Sequence, residues 1–274
     1  MYQKEKWAAV IASIFLAASL VVGFPVLYPA MTKILNLPFL TDPAALIREA
    51  QEALIPMKYD NELDDIENAA VYPEGILYVS NERANIRSTP EVANGNVIGQ
   101  TTAGNYLLYF GAEQVYDGSI WYHIQNREDL SEGWIGGSTV QVAATSDNTV
   151  EDMESVEEFV GQYLQAVIKS VESYNFTIVE PYLLPTGVMY EEQRNYLTYL
   201  SEQQIKEELL AYRVIDALTL ADGQIWVRTI EFYDITYSDG SVARKDFISE
   251  YVFTVVGEGE YQVNRLLGTY QQNL

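Results

Sequence analysis

Between Trp7 and Tyr28 the chain carries no charged side chain, and Lys4 and Lys6 stand just before the run. As a helix rising about 1.5 Å per residue, this run spans roughly 33 Å, which crosses the hydrocarbon of a bilayer. Trp7 and Tyr28 then lie at headgroup level, and the lysine-bearing tail favours a cytoplasmic N-terminus. The expectation is a single-pass protein of the cell membrane, held in the lipid bilayer through residues 7–28, with everything after Met31 on the far side. The competing reading is a cleaved signal peptide. Its apolar region is usually about 7–15 residues with a small-residue exit, whereas this run continues past Ala17-Ala18-Ser19. A helix buried in a globular core is disfavoured by Gly23, Pro25 and Pro29 near its end and by the lack of any polar face.

The 274 residues are 48% hydrophobic, enough for one large or two small cores. Charge narrows the partners. The net charge is −23, and beyond position 40 there are 13 basic and 38 acidic residues. A nucleic-acid groove needs clustered cations that this chain lacks, so nucleic acid is excluded as a partner. Attraction to anionic wall polymers is opposed over long range, and any such contact must be short-range. The absence of cysteine removes disulfides, thiolate zinc sites and a cysteine nucleophile, and suits an exported protein.

Residues 32–75 read as a helical stalk and acidic linker. Thr41-Asp42-Pro43 starts a helix whose apolar stripe (Leu46, Ile47, Ala50, Ala53, Leu54) runs until Pro56. The following YDNELDDIENAA is dense in carboxylates but lacks the central Gly and closing Glu of a calcium loop. It reads as a solvated linker, and no metal is expected.

Between Gly75 and Val142 short β runs alternate with turn signals such as Ser88-Thr89-Pro90, Asn94-Gly95, Asp117-Gly118 and Glu132-Gly133. A phosphate-holding loop is excluded for ANIRSTPEVANGNVIG, because glycines there do not open a helix. So many strands in so few residues make a small closed barrel, expected over 76–143. Its ordered landmarks are Asn85-Ile86-Arg87-Ser88, Val97-Ile98-Gly99, Gly104, Trp121-Tyr122-His123-Ile124 and Gly133-Trp134-Ile135. With these the segment resembles bacterial Src-homology-3 domains. That resemblance implies an extracellular module that binds cell-wall peptide or glycan through an aromatic cleft. Arg87, Trp121, Tyr122 and Trp134 are the cleft candidates, since indole and phenol rings offer flat apolar faces with a polar tip. Small barrels also fill their interior with side chains, so core filling by Trp121 and Trp134 stays equally open. His123 is the only histidine and is assigned no chemistry.

Glu151, Asp152 and Glu154 load the start of a long helix, in which Val156, Phe159, Val160, Tyr163, Leu164, Val167, Ile168 and Val171 recur at helical spacing. Two shorter helical segments follow, split by Pro181, Pro185 and Gly187, with Tyr190, Tyr196 and Tyr199 turned inward or into a pocket. After Leu209 the period becomes two, and four strands are joined by Asp222-Gly223, Asp239-Gly240 and Glu258-Gly259. Helices followed by a meander give an α+β cone, expected over 150–268. The segments NFTIVEPYLLP, YEEQRNYLTYL, IKEELLAYRV and SEYVFTVVGEGEYQVNRL resemble the C-terminal, nuclear-transport-factor-2-like (NTF2-like) domain of teicoplanin-resistance-associated, TcaA-like membrane proteins. Those proteins usually carry a cysteine zinc ribbon before the membrane helix, and this chain has no cysteine.

The fold class expected is therefore multidomain: a transmembrane helix (1–31 with its tail), a small all-β SH3-like barrel, then an α+β NTF2-like cone. None of the motifs Gly-x-Ser-x-Gly, Ser-x-x-Lys, His-Glu-x-x-His or Walker loop occurs. Glu231, Asp234 and Glu250 could supply acid-base chemistry, but Glu231 and Asp234 lie an odd number apart on one strand and face opposite sides. The expectation is a non-catalytic, cofactor-free protein that binds or senses wall material through the barrel cleft, the cone pocket or both. The alternatives are a scaffold for an envelope protein partner and, less favoured, a wall-modifying enzyme.

Overall fold

The computed structural model describes residues 59, 60, 62–68, 72–115, 118–125 and 132–271. The expected anchor and most of the stalk lie outside the described residues. Within the stretch read as a solvated linker, residues 62–68 are helical, with Leu63 and Ile66 forming a buried edge three residues apart. Among the described residues no helix is long and apolar enough to cross a membrane.

Residues 72–271 all belong to one compact unit. It begins with seven strands: β1 (Gly75–Val79), β2 (Ala84–Arg87), β3 (Val97–Thr101), β4 (Tyr106–Gln114), β5 (Ile120–Gln125), β6 (Glu132–Gly136) and β7 (Val140–Thr145). They form one antiparallel sheet in the order β3-β2-β6-β5-β4-β1-β7. The expected closed barrel is thus a rolled sheet with β3 and β7 at its ends. Alternate side chains roll it around a single core, in which Leu77, Ile86, Leu107, Tyr109, Ile124, Ile135 and Val140 meet. The run EGWIGGSTVQV forms two strands, β6 and β7. A 3₁₀ turn at Gly137–Thr139 separates them, and Thr139 Oγ1 donates to the Gly136 carbonyl at 2.7 Å.

The second half builds a curved sheet over two helices. Helix α1 (Met153–Ser173) starts at Asp152, whose side chain accepts from the Ser155 amide, and stops at Tyr174, which is left-handed with φ 50°. Its predicted stripe is buried except for half-buried Ile168. The first of the two short helical segments is a pair of 3₁₀ turns, Phe176–Ile178 and Glu180–Tyr182, because Pro181 leaves no amide to continue an α-helix. The second is α2 (Val188–Gln203). Its inward face is Met189, Gln193, Leu197 and Leu200, while Tyr196 and Tyr199 are exposed, contrary to expectation. The tyrosines sit between the apolar positions of the 3.6-residue repeat, so the helix turns them outward.

Four strands, β8 (Lys206–Thr219), β9 (Ile225–Thr236), β10 (Val242–Gly257) and β11 (Glu260–Gln271), make an antiparallel meander in the order β11-β10-β9-β8. Register shifts at Leu209/Ala211 and Val214/Asp216, and three more between β10 and β11, bend the sheet around α1. β11 runs to Gln271, beyond the expected end of the cone at 268, because β10 offers Phe247–Glu250 as pairing partners.

The two β modules are not beads on a string. The outward residues of the barrel's β1, β4 and β7 (Ile76, Leu108, Ala144) join Leu218, Leu220, Trp226 and Val252 of the cone sheet in one buried cluster. The segment joining the modules is hydrogen-bonded rather than loose: Val150 N donates to Ala217 O (3.1 Å), Thr219 N to Asn148 O (2.7 Å) and Ala221 N to Ala143 O (2.7 Å).

Candidate functional site

The four candidate cleft residues divide between the two faces of the barrel sheet. Register places Arg87 opposite Trp134, Trp134 opposite His123, and Val97 opposite Arg87, so these four form a row across β3, β2, β6 and β5 on the outer face. The rings of Trp134 and His123 lie 5.0 Å apart, and His123 Nε2 is 3.3 Å from Glu132 Oε2. Trp121, two residues from His123, shares that face but is only 6% exposed. Its ring covers Gly136, and its Nε1 donates to Ser119 Oγ at 3.2 Å. Tyr122 is on the inner face, edge-on to Tyr109 with ring centroids 5.2 Å apart, against the barrel core. Arg87 is half-buried. Its Nη1 donates to Asn96 Oδ1 (2.6 Å) and to the Ala93 carbonyl (3.3 Å), and Asn96 in turn donates to Thr89 Oγ1 and Glu91 O at 2.9 Å each. The guanidinium therefore organises the 88–96 hairpin, whose turn uses Gly95 at φ 81°.

A second concave feature was not foreseen. Where barrel meets cone there is a partly open cavity of about 430 Å³, within the roughly 300–1,000 Å³ of small-molecule sites. Tyr78 and Tyr106, paired in register on β1 and β4, stand edge-to-face across one wall with centroids 5.5 Å apart. The cone supplies Asp222, Gln224, Asn264 and Arg265. Their polar atoms form a continuous chain. Asn264 Nδ2 donates to Gln224 Oε1 (2.7 Å), Gln224 Nε2 to Asp222 Oδ2 (2.7 Å), and Tyr106 OH to Asp222 Oδ2 (3.3 Å). Arg265 Nη1 donates across the seam to the Gly104 carbonyl at 2.8 Å. Burial first, then the Asp222 charge, pushes the Tyr106 phenol up to about 12, so it remains a donor. In the sequence, Asp222-Gly223 registers only as a turn and the tyrosines only as strand residues.

The acids weighed for chemistry have separate partners. Glu231 is buried beneath the helices. Its Oε1 accepts from Thr229 Oγ1 (2.6 Å) and Tyr251 OH (2.9 Å), and its Oε2 from Tyr233 OH (2.9 Å). Burial raises its pKa, and the three hydroxyls oppose that rise. Glu207, bonded by Tyr196 OH, is also raised by burial. Asp234 is bridged by Arg244 at 3.0 and 3.2 Å. Glu250 faces Arg228 at 3.6 Å, and Arg228 is also the register partner of Asp216 on β8. Among the described residues no group of three or more acids and histidines could hold a metal ion.

Residues 153–267 match the family model described as the TcaA protein NTF2-like domain. The match runs from the start of α1 into β11, so the cone is an NTF2-like domain. The chain is also similar to the uncharacterized membrane protein YvbJ of Bacillus subtilis (strain 168), with 27% identity over 114 residues. That similarity covers 42% of this chain and 18% of the length of YvbJ.

Proposed function

We propose that this is an envelope protein, anchored by residues 7–28 with its N-terminus in the cytoplasm, which presents an SH3-like barrel and an NTF2-like cone outside the membrane and binds cell-wall peptide or glycan without chemistry. Its uncharged N-terminal run, the similarity to a membrane protein and the TcaA match in the cone support the location. The observation that carries the binding is the outer-face row Val97, Arg87, Trp134 and His123, in which a half-buried indole is flanked by a ring and a cation. Such a ledge suits the flat face of a sugar or the amide plane of a stem peptide, and its attraction is short-range, as the strongly acidic chain requires. Trp121 backs the ledge, and Tyr122 supports it from the core side. Non-catalysis is favoured because Glu231, the most buried candidate acid on the helix side, spends both oxygens on three hydroxyls.

Retention of the full chain, in detergent micelles, on purified peptidoglycan sacculi tests this. Trp134→Ala should release most of the retained protein while leaving the melting temperature unchanged. If wild type and variant are retained equally, the ledge is not the wall site. If neither is retained, scaffolding of an envelope protein partner becomes the better account.

A further inference from the structure

We propose that the cavity at the seam between barrel and cone is a second binding site, specific for an uncharged sugar ring bearing hydroxyl and amide groups. The proposal rests on the wall-binding reading only for the source of that ligand. The site stands on its own geometry.

The volume of about 430 Å³ admits one or two sugar rings. Tyr78, 36% exposed, offers a phenol face held at a fixed angle by the edge contact with Tyr106. Sugar rings present C–H groups on one face and hydroxyls around the rim, so they need an aromatic wall beside directional polar groups. The Asn264–Gln224–Asp222–Tyr106 chain supplies that rim already oriented, because each side chain is fixed by its neighbour. Leu220 and Val252 give an apolar floor.

Charge selects against ions. Arg265 is the cavity's cation and Asp222 its anion, and the chain as a whole carries −23. An anionic ligand is opposed by the acidic chain, and a cation shares the cavity with the charge of Arg265. A neutral ring incurs neither penalty. Tyr78 and Tyr106 come from the barrel and Asp222, Gln224, Asn264 and Arg265 from the cone, so the site exists only where the two are joined.

The test is calorimetric titration of the full chain, in a detergent without a sugar headgroup, with the β-1,4-linked N-acetylglucosamine tetrasaccharide. With the ledge removed by Trp134→Ala, the chain should still bind it, and adding Tyr78→Ala to that variant should weaken binding about tenfold. Tyr106→Phe, which keeps the ring packing and removes the hydroxyl, should also weaken it. Unchanged affinity when Tyr78→Ala and Tyr106→Phe are each added to Trp134→Ala, or no binding by Trp134→Ala at about 10 mM tetrasaccharide, overturns the proposal. Sacculus retention separates the two sites. Tetrasaccharide binding that persists when Trp134→Ala has lost its sacculus retention supports the seam as an independent site. Retention without tetrasaccharide binding refutes the seam site and leaves the ledge standing.

Discussion

Truncating Leu108 to alanine tests whether barrel and cone fold as one body. Leu108 lies on β4 and points away from the barrel core, since its neighbours Leu107 and Tyr109 fill that core. In a freely tethered barrel this position would be solvated, and truncation would stay within about 0.5 kcal/mol. Here it is 1% exposed, packed in the cluster with Leu218, Trp226 and Val252. A sealed Leu→Ala change costs about 2–5 kcal/mol, so roughly 3 kcal/mol is expected. For a cooperative unit of this size, each kcal/mol lowers the melting temperature by about 2–4 °C, giving a drop of about 6–12 °C. The assay is ¹⁹F NMR through a thermal series on protein labelled with 5-fluorotryptophan, because Trp226 reports on the cone while Trp121 and Trp134 report on the barrel. These three resonances, as distinct from that of Trp7 in the N-terminal run, should lose their native positions together and shift together in the variant. Separate transitions, or a Trp226 transition unmoved by a mutation in the barrel, would refute the single-body argument.

Other substitutions probe the parts. Glu231→Gln should flatten the pH dependence of stability: because burial raises the folded-state pKa above its ordinary 4.5, this group's contribution is fully present below that pH and is lost as pH rises through the elevated value. Thermal melts from about pH 4 to about pH 8 should therefore show wild type losing more stability than the variant, with a residual slope from Glu207 and Asp216, which are raised too. Gly75→Ala should cost about 2 kcal/mol or more in denaturant titration, since a Cβ there would lie 2.2 Å from the Ala144 carbonyl oxygen and β1 would have to part from β7. Arg87→Ala should speed amide hydrogen exchange at Ser88, whose amide donates to Asn96 O at 2.9 Å, because the hairpin loses the guanidinium bonds that hold Asn96.

The elements were legible wherever one face of a strand or helix meets water. The α1 stripe, the turn dipeptides and the switch to a two-residue period mark the cone because burial on one side leaves a periodic trace in the sequence. The trace fails where both faces are covered. Leu107, Leu108 and Tyr109 form an unbroken apolar run, as do Ile225, Trp226 and Val227, and alternate members of each face different cores. Continuous apolar runs of this kind signal strands buried on both sides, and in an antiparallel barrel they point to a second body against its outer surface. The junction at 144–150 reads as a polar linker, since Ser146, Asp147 and Asn148 are turn formers. Its backbone groups nevertheless pair with β8, a contact that leaves no mark on side-chain composition.

The same reasoning explains which site residues could be found. Arg87, Trp121, Tyr122 and Trp134 stand out by type, but type does not assign a face. Strand alternation alone separates Tyr122 from its neighbour Trp121, and it sends the tyrosine to the core and the indole outward. The seam residues lack even a distinctive type. Tyr78 is separated from Arg265 by most of the chain, and Asp222 sits in a turn of the commonest composition. Their convergence depends on Leu218, Trp226 and Val252 docking against Ile76 and Leu108, which is a property of two surfaces matching rather than of any segment. A cavity made in this way is coupled to the packing beneath it. Truncation of Leu108, although the residue does not line the cavity, should therefore weaken tetrasaccharide binding at the seam as well as stability.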